Sequence, residues 1–370
     1  MAKKMKIAII DADLIGRKRH RFPNLACMKI SAFHKSQGDE VELKTKYEDL
    51  SGYDKVYLSK VFTDTEVPTE VLKLSNLSYG GTGFFYDKAP PLPEEIEHQK
   101  PDYHLYDDWV EEQLRAGGNA KDFTYYREYS IGFLTRGCFR GCEFCVNKNY
   151  RRVVKHSTID EFLDESRPKI CLLDDNFLGH PCWKEMLLDL QSRGKPFQFK
   201  QGLDERLLTD ESCGVLFRSK YDGDYIFAFD NIADSALIER KIILARKYTT
   251  AALKFYCFCG FDRQGKWDDK FWRDDIFDLL NRIEILARHG CVPYVMRYAR
   301  YEESPYRGLY VSIARWCNQP NFFKKKSLRE FAEANGLTSA CYRYVSDFEK
   351  KFPEVAFYLD MKYKGSSNGK

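Results

Sequence analysis

The sequence predicts an α/β protein with two parallel-sheet domains, and three observations lead to this prediction. The chain of 370 residues is long enough for one large or two ordinary domains with full hydrophobic cores. Short β-rich apolar segments alternate with segments of helical periodicity along most of its length. A stretch with four prolines between residues 87 and 108 separates two such alternating regions and predicts a connector between them.

The first region has the order β-α-β-β. MKIAIIDAD predicts a strand near residues 6–10, and FPNLACMKISAFHKSQGD predicts a helix that begins near Pro23 and ends at Gly38. EVELKTK and YDKVYLSKVF predict strands near 41–45 and 54–58. This order predicts a small Rossmann-like domain over residues 1–90, followed by the connector over residues 91–127.

The second region repeats strand and helix patterns six times. Its predicted strands lie in EYSIGFLTRGC, KICLLDDNF, FQFKQG, DYIFAFDN, ALKFYCFCGFD and VPYVMRYAR, and STIDEFLDESR is predicted as one of the intervening helices. Such a series predicts a parallel sheet curled into a partial (β/α)6 barrel over residues 128–300, with the site at the carboxyl ends of its strands. Residues 301–370 are predicted to cap the barrel mouth, and KGSSNGK at the end predicts a flexible tail.

The composition narrows the class of protein. Apolar residues make up 44% and charged residues 31%, as in ordinary soluble proteins, and the net charge of +4 is too small to indicate nucleic acid by itself. No apolar run reaches the roughly 18–20 residues that span a bilayer, and the start of the chain does not resemble a signal peptide. We therefore expect a cytoplasmic protein without a membrane partner, in which the 12 cysteines do not form a disulfide framework.

Three of these cysteines cluster in TRGCFRGCEFC. Cys138, Cys142 and Cys145 have the spacing C-x3-C-x2-C and follow the first strand of the second region. A structural zinc site usually has four ligands, and a bacterial ferredoxin run also has four cysteines. Three thiolates on a glycine-containing loop instead fit a 4Fe–4S cluster in which one iron has no protein ligand and can bind a substrate.

The spacing of Cys138, Cys142 and Cys145, with the aromatic Phe144 before the last cysteine, resembles the radical SAM superfamily. The resemblance covers residues 128–300 and includes the six βα units. It implies that the amine and carboxylate of S-adenosylmethionine bind the unique iron, and that an external one-electron reductant of the flavodoxin or ferredoxin type is a partner. Reductive cleavage would then give a 5′-deoxyadenosyl radical that abstracts hydrogen from a substrate, with a nucleic acid or a peptide among the open possibilities.

The resemblance also suggests which residues contact S-adenosylmethionine. LLDDNFLGH replaces the family's glycine-rich segment after the second strand, so Asp174, Asp175 and Asn176 are candidates to accept hydrogen bonds from the ammonium group. Adjacent carboxylates at the end of a strand raise each other's pKa, which favours a site. A solvated turn or a helix cap is the alternative. Phe144 is the further candidate for contact with the cofactor.

Later strands end in further polar candidates. Gln201 and Arg206 follow the third strand, and Arg206 is predicted to bind the methionyl carboxylate as a bidentate partner, with a surface ion pair to Asp204 as the alternative. Asp230 ends the fourth strand and is predicted to contact ribose or substrate. Arg297 on the sixth strand either binds an anionic group of the substrate or closes an internal salt bridge.

Cys257 and Cys259 alternate on one face of the fifth strand. They could ligate a second cluster or donate a hydrogen atom from a thiol. Two small residues of the barrel core are the simpler interpretation.

The N-terminal region resembles the domain of cobalamin-binding radical SAM enzymes. Ser59 and Gly80–Gly81 stand where that family has serine and paired-glycine contacts, but DADLIGRKRH lacks the histidine of its Asp-x-His-x-x-Gly signature. The missing histidine favours a scaffold domain over cobalamin binding, and the resemblance keeps cobalamin open. The main hypothesis is therefore a radical SAM enzyme, and the first alternative is a cobalamin-dependent radical SAM methyltransferase.

Basic clusters give a second alternative. They are Arg17–Arg21, Arg151, Arg152 and Lys155, and Lys324–Lys326. Such clusters could contact a nucleic-acid backbone, or they could be solvated surface charge. A non-catalytic iron–sulfur protein with a redox or nucleic-acid-binding role therefore stays open.

Overall fold

The structure is a computed structural model that describes residues 4–148 and 150–365. The chain forms two compact units: Met1–Asp175 with Leu190–Gln198, and Asn176–Asp189 with Phe199–Lys370. The domain boundaries predicted from the sequence stay a prediction.

A four-stranded parallel sheet forms the start of the first unit, in the order β2-β1-β3-β4. The strands are β1 (Lys6–Asp11), β2 (Glu40–Lys44), β3 (Lys55–Ser59) and β4 (Leu77–Gly80). Strand β1 is central and is buried on both faces: Ile7 and Ile9 belong to one hydrophobic cluster, and Ala8 and Ile10 belong to another. The first three strands confirm the predicted Rossmann-like order, and β4 was not predicted.

Within residues 4–148 and 150–175, six helices belong to this unit, and α2, with 12 residues, is the longest of them. They are α1 (Ala12–Gly16), α2 (Leu25–Ser36), α3 (Thr82–Phe85), α4 (Glu94–Glu97), α5 (Asp107–Arg115) and α6 (Thr124–Arg127). Helix α2 is the predicted helix, and the Asn24 side chain caps it by accepting from Ala26 and Cys27. The predicted connector is part of the core, because Ile96, Tyr106 and Val110 pack in the same cluster as Ile7.

The remaining strands of the first unit include the pair, β6 and β7, between which the cysteine loop lies. They are β5 (Tyr129–Gly132), β6 (Thr135–Arg136), β7 (Val154–Lys155), β8 (Lys169–Leu172) and β9 (Phe197–Phe199). Strands β5, β8 and β9 form a three-stranded sheet in that order, and β6 pairs with β7.

The helix predicted in STIDEFLDESR is wrong. Its capping box forms, but only a single 3-10 turn follows, over Ile159–Glu161. Asp164 ends the helical course because its side chain accepts a hydrogen bond from the Ser166 N–H at 3.0 Å, and Pro168 disfavours helix at the residue before it.

The second unit contains a second three-stranded parallel sheet, β10-β11-β12, with β10 (Tyr225–Ala228), β11 (Leu253–Cys259) and β12 (Val292–Arg297). Its helices are α7 (Trp183–Ser192), α8 (Asp210–Leu216), α9 (Ser235–Arg246), α10 (Asp269–Arg288), α11 (Arg307–Cys317), α12 (Pro320–Phe323), α13 (Leu328–Ala334), α14 (Ala340–Lys351) and α15 (Ala356–Leu359). All six predicted strands of the second region are present, as two three-stranded sheets. The number of strands in a barrel stays a prediction.

Two further observations concern the chain as a whole. Among residues 4–148 and 150–365, no helix is both long enough and apolar enough to cross a membrane. Of the tail predicted to be flexible, residues 366–370 lie outside the described part of the chain.

Candidate functional site

The loop that carries the three cysteines is closed at its base by a short antiparallel pair. Thr135 pairs with Lys155 and Arg136 pairs with Val154, so the two ends of the segment 137–153 are held together. Gly137 begins the segment with φ +94°, and a Cβ atom there would lie 2.4 Å from the Arg152 carbonyl oxygen. Glycine is therefore required at this position by both its backbone conformation and the close approach of the returning chain.

The cysteine sulfurs have the environment that an iron–sulfur cluster needs. Cys138, Cys142 and Cys145 are half-buried. The N–H of Arg140 points at the Cys138 sulfur and the N–H of Asn147 at the Cys145 sulfur, each at 3.4 Å. Such N–H···S bonds stabilise thiolate ligands and tune the cluster that they hold.

These thiols must lose their protons to bind metal. Burial raises the pKa of Cys145, and the N–H of Asn147 opposes the increase. Within the described residues, no three His, Cys, Asp or Glu side chains are placed around a single metal ion. This result does not argue against a cluster, because each cysteine of a 4Fe–4S site binds its own iron. The donor set and its N–H donors therefore fit a 4Fe–4S cluster.

Phe144 is half-buried within the cysteine loop. Its carbonyl oxygen accepts a hydrogen bond of 3.0 Å from the hydroxyl of Tyr86, the residue that follows α3. This bond ties the cysteine loop to the segment after β4 in the same unit. The Lys148 ammonium group donates to the carbonyls of Cys142 and Glu143 and so holds the turn between the second and third cysteines.

The two adjacent acids after β8 have different surroundings. Asp174 is fully buried and accepts hydrogen bonds from the Leu134 N–H at 3.2 Å and from the N–H and hydroxyl of Thr135, both at 2.6 Å. Burial raises its pKa to about 7. Asp175 is half-buried and accepts from the Gly137 N–H at 2.8 Å. Both carboxylates therefore hold the cysteine loop, and contact with an ammonium group stays a prediction for both.

In the second unit, polar side chains meet near the carboxyl end of β10. The Asn176 amide donates to Asp204 at 3.3 Å, and Asp204 accepts from the Arg206 Nε at 2.7 Å. Arg206 also donates to Asp234 at 3.2 Å. The predicted ion pair of Asp204 and Arg206 is thus present, while the predicted binding of a carboxylate by Arg206 stays a prediction. Gln201, on the same segment, is exposed.

One acid of this region was not a candidate in the sequence. Glu205 is 1% exposed, its Oε1 atom has no hydrogen-bond partner, and its Oε2 atom accepts from the Ala228 N–H at 3.2 Å. Burial and then the charge of Asp204 raise its pKa to about 8. Asp230 accepts from the Phe258 N–H at 2.8 Å, and burial raises its pKa as well. The signal for Glu205 is the run of three charged residues, 204–206, in the segment that follows β9.

Cys257 and Cys259 are buried on one face of β11, at 0% and 2% exposure. The Cys259 thiol donates to the Met296 carbonyl at 3.4 Å. Burial raises the pKa of Cys257 to about 12, so this thiol keeps its proton. This placement supports the interpretation of both residues as small members of the core.

The carboxyl end of the N-terminal sheet contains a buried polar network. Asp11 accepts from the Tyr106 hydroxyl at 2.9 Å, and its other oxygen, also buried, has no hydrogen-bond partner. The His20 Nε2 atom lies 3.4 Å from Asp11, and burial lowers the pKa of His20 to about 4. Asp13 stands at the position of the histidine in the cobalamin signature. It accepts from the Val61 N–H at 2.7 Å and so binds the loop after β3.

The residues predicted to contact cobalamin fit only in part. The Ser59 hydroxyl is buried and accepts from the Asn24 amide at 2.9 Å. Gly81 has φ +105° and approaches the Lys60 carbonyl so closely that a Cβ atom would lie 2.2 Å from its oxygen. Gly80 has open space on its side-chain side, because no heavy atom lies within 4 Å of an added Cβ. A ligand could therefore approach the backbone at Gly80.

Comparison with known proteins supports the fold. No family model matches the chain. The similar solved structures include the radical S-adenosylmethionine methyltransferase TsrM from Kitasatospora setae, with cobalamin and a 4Fe–4S cluster bound, at 12% identity and a TM-score of 0.50 over 80% of this chain and 75% of that one. They also include the cobalamin-dependent S-adenosylmethionine radical enzyme OxsB, with aqua-cobalamin and S-adenosylmethionine bound, at 15% identity and a TM-score of 0.50.

The match to OxsB covers 94% of this chain and 61% of OxsB, so the chain spans less than two thirds of that enzyme. The chain shares the fold of these enzymes, and its own sheets are parallel in β1–β4 and in β10–β12. The fold class predicted from the sequence is confirmed.

Proposed function

We propose that the chain is a radical SAM enzyme that cleaves S-adenosylmethionine reductively and abstracts hydrogen from a substrate that is still to be identified. The observation that carries the proposal is the cysteine loop. Three thiols at C-x3-C-x2-C spacing, two of them receiving N–H···S bonds, lie on a loop that is fixed at its base. When bound, a 4Fe–4S cluster would supply the electron that breaks the bond between the sulfonium and the 5′ carbon.

Within this proposal the first unit holds the cluster. Cys138, Cys142 and Cys145 would ligate three irons and leave the fourth for the amine and carboxylate of S-adenosylmethionine. Gly137 and Asp175 would keep the loop in its conformation, since the carboxylate of Asp175 already accepts from the Gly137 N–H.

The residues that would contact S-adenosylmethionine are proposed with narrower roles than the sequence alone suggested. Asp175, as the half-buried acid, is a better acceptor for the ammonium group than the buried Asp174. Arg206 would bind the methionyl carboxylate only by exchanging one of the three carboxylates that it now contacts, those of Asp204, Glu205 and Asp234. Asp230 would contact ribose or substrate. Phe144 would contact the cofactor beside the third cysteine.

The reductant would be a flavodoxin or a ferredoxin type of protein. Phe139 is 44% exposed and Val146 is 41% exposed, and both flank the cluster cysteines in the sequence. Large apolar side chains at such exposure are suited to a transient protein contact close to the electron acceptor.

Cobalamin-dependent methyl transfer is the second candidate function. It is supported by the two similar structures that contain cobalamin and by the open side of Gly80 at the carboxyl end of the N-terminal sheet. In doubly wound sheets this end is where ligands bind. The sequence alone made cobalamin the less favoured cofactor; because both similar structures contain it, methyl transfer is supported at least as well as the first candidate, although Ser59 is buried and already bonded and the signature histidine is absent.

Anaerobic reconstitution with iron and sulfide tests both candidates. We expect the reconstituted full chain to form 5′-deoxyadenosine from S-adenosylmethionine and dithionite, and Cys142→Ala to form none. Cys182→Ala, which removes an exposed thiol elsewhere, is the matched control and should behave as the wild type. Retained corrinoid together with S-adenosylhomocysteine would favour the methyltransferase.

A full cluster with continued 5′-deoxyadenosine formation in Cys142→Ala would refute the radical SAM proposal. A cluster that never cleaves S-adenosylmethionine would favour a non-catalytic iron–sulfur protein. Retention on tRNA or DNA that falls steeply with salt would add a nucleic-acid partner.

A further inference from the structure

The helices α11 and α14 of the second unit border a cavity of about 500 Å³. Arg307, Val311 and Arg315 line it from α11, and successive members of this series are four residues apart, so they form one stripe along the helix. Cys341 and Tyr344 line it from α14. Small-molecule sites have volumes of roughly 300–1,000 Å³, so this cavity is large enough to hold a small molecule.

Two arginines give the cavity an excess of positive charge. Among the residues that line it, Arg307 and Arg315 are the cations and Glu302 is the acid. In the described part of the chain, the side chain of Arg307 forms no ion pair or hydrogen bond. Arg315 donates one hydrogen bond of 3.4 Å to the amide oxygen of Asn335. Both arginines are exposed, and their remaining N–H groups can bind an arriving anion.

Arg307 stands at the end of α11 where a cation is unfavourable. It is the first residue of this helix, whose N-cap residue Tyr306 makes no side-chain cap and whose first turn contains no acid. The N-terminal end of a helix carries partial positive charge, so a cation there lowers stability unless an anion lies nearby. An anion bound in the cavity would offset the charge of Arg307.

Two tyrosine rings line the same cavity. The ring of Tyr344 packs directly on α11 at Gly308, where an added Cβ atom would lie 2.2 Å from the ring. Tyr344 is 37% exposed and Tyr301 is half-buried, so both keep ring surface that a ligand can reach. Aromatic side chains stack on nucleobases of any sequence. Stacking on the rings and phosphate binding by the arginines are therefore both available within one cavity.

We propose that this cavity binds a nucleotide, with Arg307 and Arg315 contacting its phosphate and the rings of Tyr301 and Tyr344 contacting its base. The observation that carries the proposal is that two arginines without acidic partners and two accessible tyrosine rings line one cavity. A free nucleotide and the end of a nucleic-acid strand present the same chemistry. The proposal goes beyond the radical SAM function and does not depend on it, because no residue of the cavity belongs to the cysteine loop.

Matched probes test this site without reconstitution of a cluster. UMP against uridine, and GMP against guanosine, would be titrated into the full chain by ligand-observed NMR. Neither pair contains the adenine of S-adenosylmethionine. We expect at least one nucleotide to bind about tenfold more tightly than its nucleoside, as charge-assisted hydrogen bonds to arginine imply. Equal binding within both pairs would overturn the proposal.

Paired substitutions show whether this preference belongs to the cavity. The double variant Arg307→Gln/Arg315→Gln should bind nucleotide and nucleoside equally. The double variant Arg273→Gln/Arg300→Gln removes the same charge from two exposed arginines that already have acidic partners outside the cavity, and it should keep the preference. Equal losses in the two double variants would indicate general charge attraction and would contradict a nucleotide site between α11 and α14.

Two further measurements separate binding from a purely structural role. Tyr344→Leu should weaken the binding of UMP and uridine by a similar factor, whereas Tyr344→Phe keeps the ring and should keep the binding of both. Arg307→Gln should leave the urea midpoint unchanged or higher, because it removes a cation from the start of a helix. Unchanged binding in Tyr344→Leu, or a lower midpoint in Arg307→Gln, would count against the assigned roles.

A last pair of probes identifies the source of the phosphate. A tetrauridylate with a 5′-phosphate that binds more tightly than UMP would assign the site to a nucleic-acid strand, and weaker binding would assign it to a free nucleotide. Absence of 5′-deoxyadenosine formation in the reconstituted chain would remove the proposed radical function, while these titrations would still test the nucleotide site.

Discussion

The carboxylate of Asp175 accepts a hydrogen bond of 2.8 Å from the backbone N–H of Gly137, the residue directly before the first cluster cysteine. An acid at the end of one strand thereby sets the position of a loop that follows the neighbouring strand of the same sheet.

Replacing Asp175 by Ala should lower the iron content after reconstitution clearly while lowering the free energy of unfolding only slightly. The variant frees one N–H in a half-buried place, so we expect a loss of about 1 kcal/mol in the free energy of unfolding. Iron per chain after reconstitution should fall clearly because the start of the loop loses its anchor. Asp160→Ala, which breaks an exposed ion pair to Arg193 in the same unit, is the control and should leave iron content unchanged. Equal iron contents in both variants would contradict the anchoring role.

Gly137→Ala should damage the loop severely. The added Cβ would lie 2.4 Å from the Arg152 carbonyl oxygen, at a φ of +94° that alanine rarely adopts, so we expect a loss of about 2 kcal/mol or more and little cluster. Gly141→Ala is the matched control. Gly141 also has a positive φ, +62°, but an added Cβ atom there would have no heavy atom within 4 Å. This variant should lose about 1 kcal/mol and keep more iron. Urea unfolding and iron analysis measure both effects, and identical behaviour would show that the contact with Arg152 is unimportant.

Asp174→Ala should be among the more destabilising single changes in the first unit. It removes the acceptor of two backbone N–H groups and the Thr135 hydroxyl in a fully buried place, so we expect a loss of about 3 kcal/mol. Asp174→Asn keeps one carbonyl oxygen and should lose less. Urea midpoints of the two variants without cluster provide the comparison, and an Ala variant as stable as the Asn variant would argue against the bonding described.

Glu205→Gln should change how stability depends on pH. The pKa of Glu205 is raised in the folded state, from 4.5 to about 8, so the folded chain holds this proton more tightly than the unfolded chain. Wild-type stability should therefore fall as the pH rises from about 4.5 to 8. The Gln variant cannot ionise, so it should gain relative to the wild type at pH 8.5 and match it more closely at pH 5.

The control for this effect is Glu211→Gln, which changes an exposed acid paired with Lys184. It should leave the pH dependence of the urea midpoint as in the wild type. Parallel pH curves for Glu205→Gln and wild type would mean that Glu205 is ionised throughout this range.

Local patterns predicted most of the strands because their apolar residues are either continuous or alternating. The uninterrupted apolar run in KIAII predicts by itself a strand that is buried on both faces, as β1 is. Strand β4 was missed because LSYG is short and ends in glycine, and its place is fixed by pairing with β3. The helix predicted around Ile159 failed because Asp164 and Ser166 form a competing local hydrogen bond.

The candidate site was predictable where chemistry depends on spacing and was not where it depends on contacts between segments. The cysteine spacing predicted a cluster loop, and the structure shows a loop closed at its base by β6 and β7. That Asp174 would be buried against Thr135 depends on where the chain returns, 39 residues later, and no local pattern contains this information. The sequence offered an ion pair for both Arg206 and Arg297, yet among the described residues Arg206 is bound by carboxylates and Arg297 forms no ion pair.

The pairing of β6 with β7 has a thermodynamic consequence for how the chain acquires metal. Because Arg136 and Val154 are already joined, the entropy of closing the intervening loop is lost when the protein folds, before any iron is present. Metal uptake then needs only local ordering around the thiols. Under the proposed function, oxidative loss of the cluster should therefore leave the β6–β7 pair in place, so that the folded chain can take up iron and sulfide again.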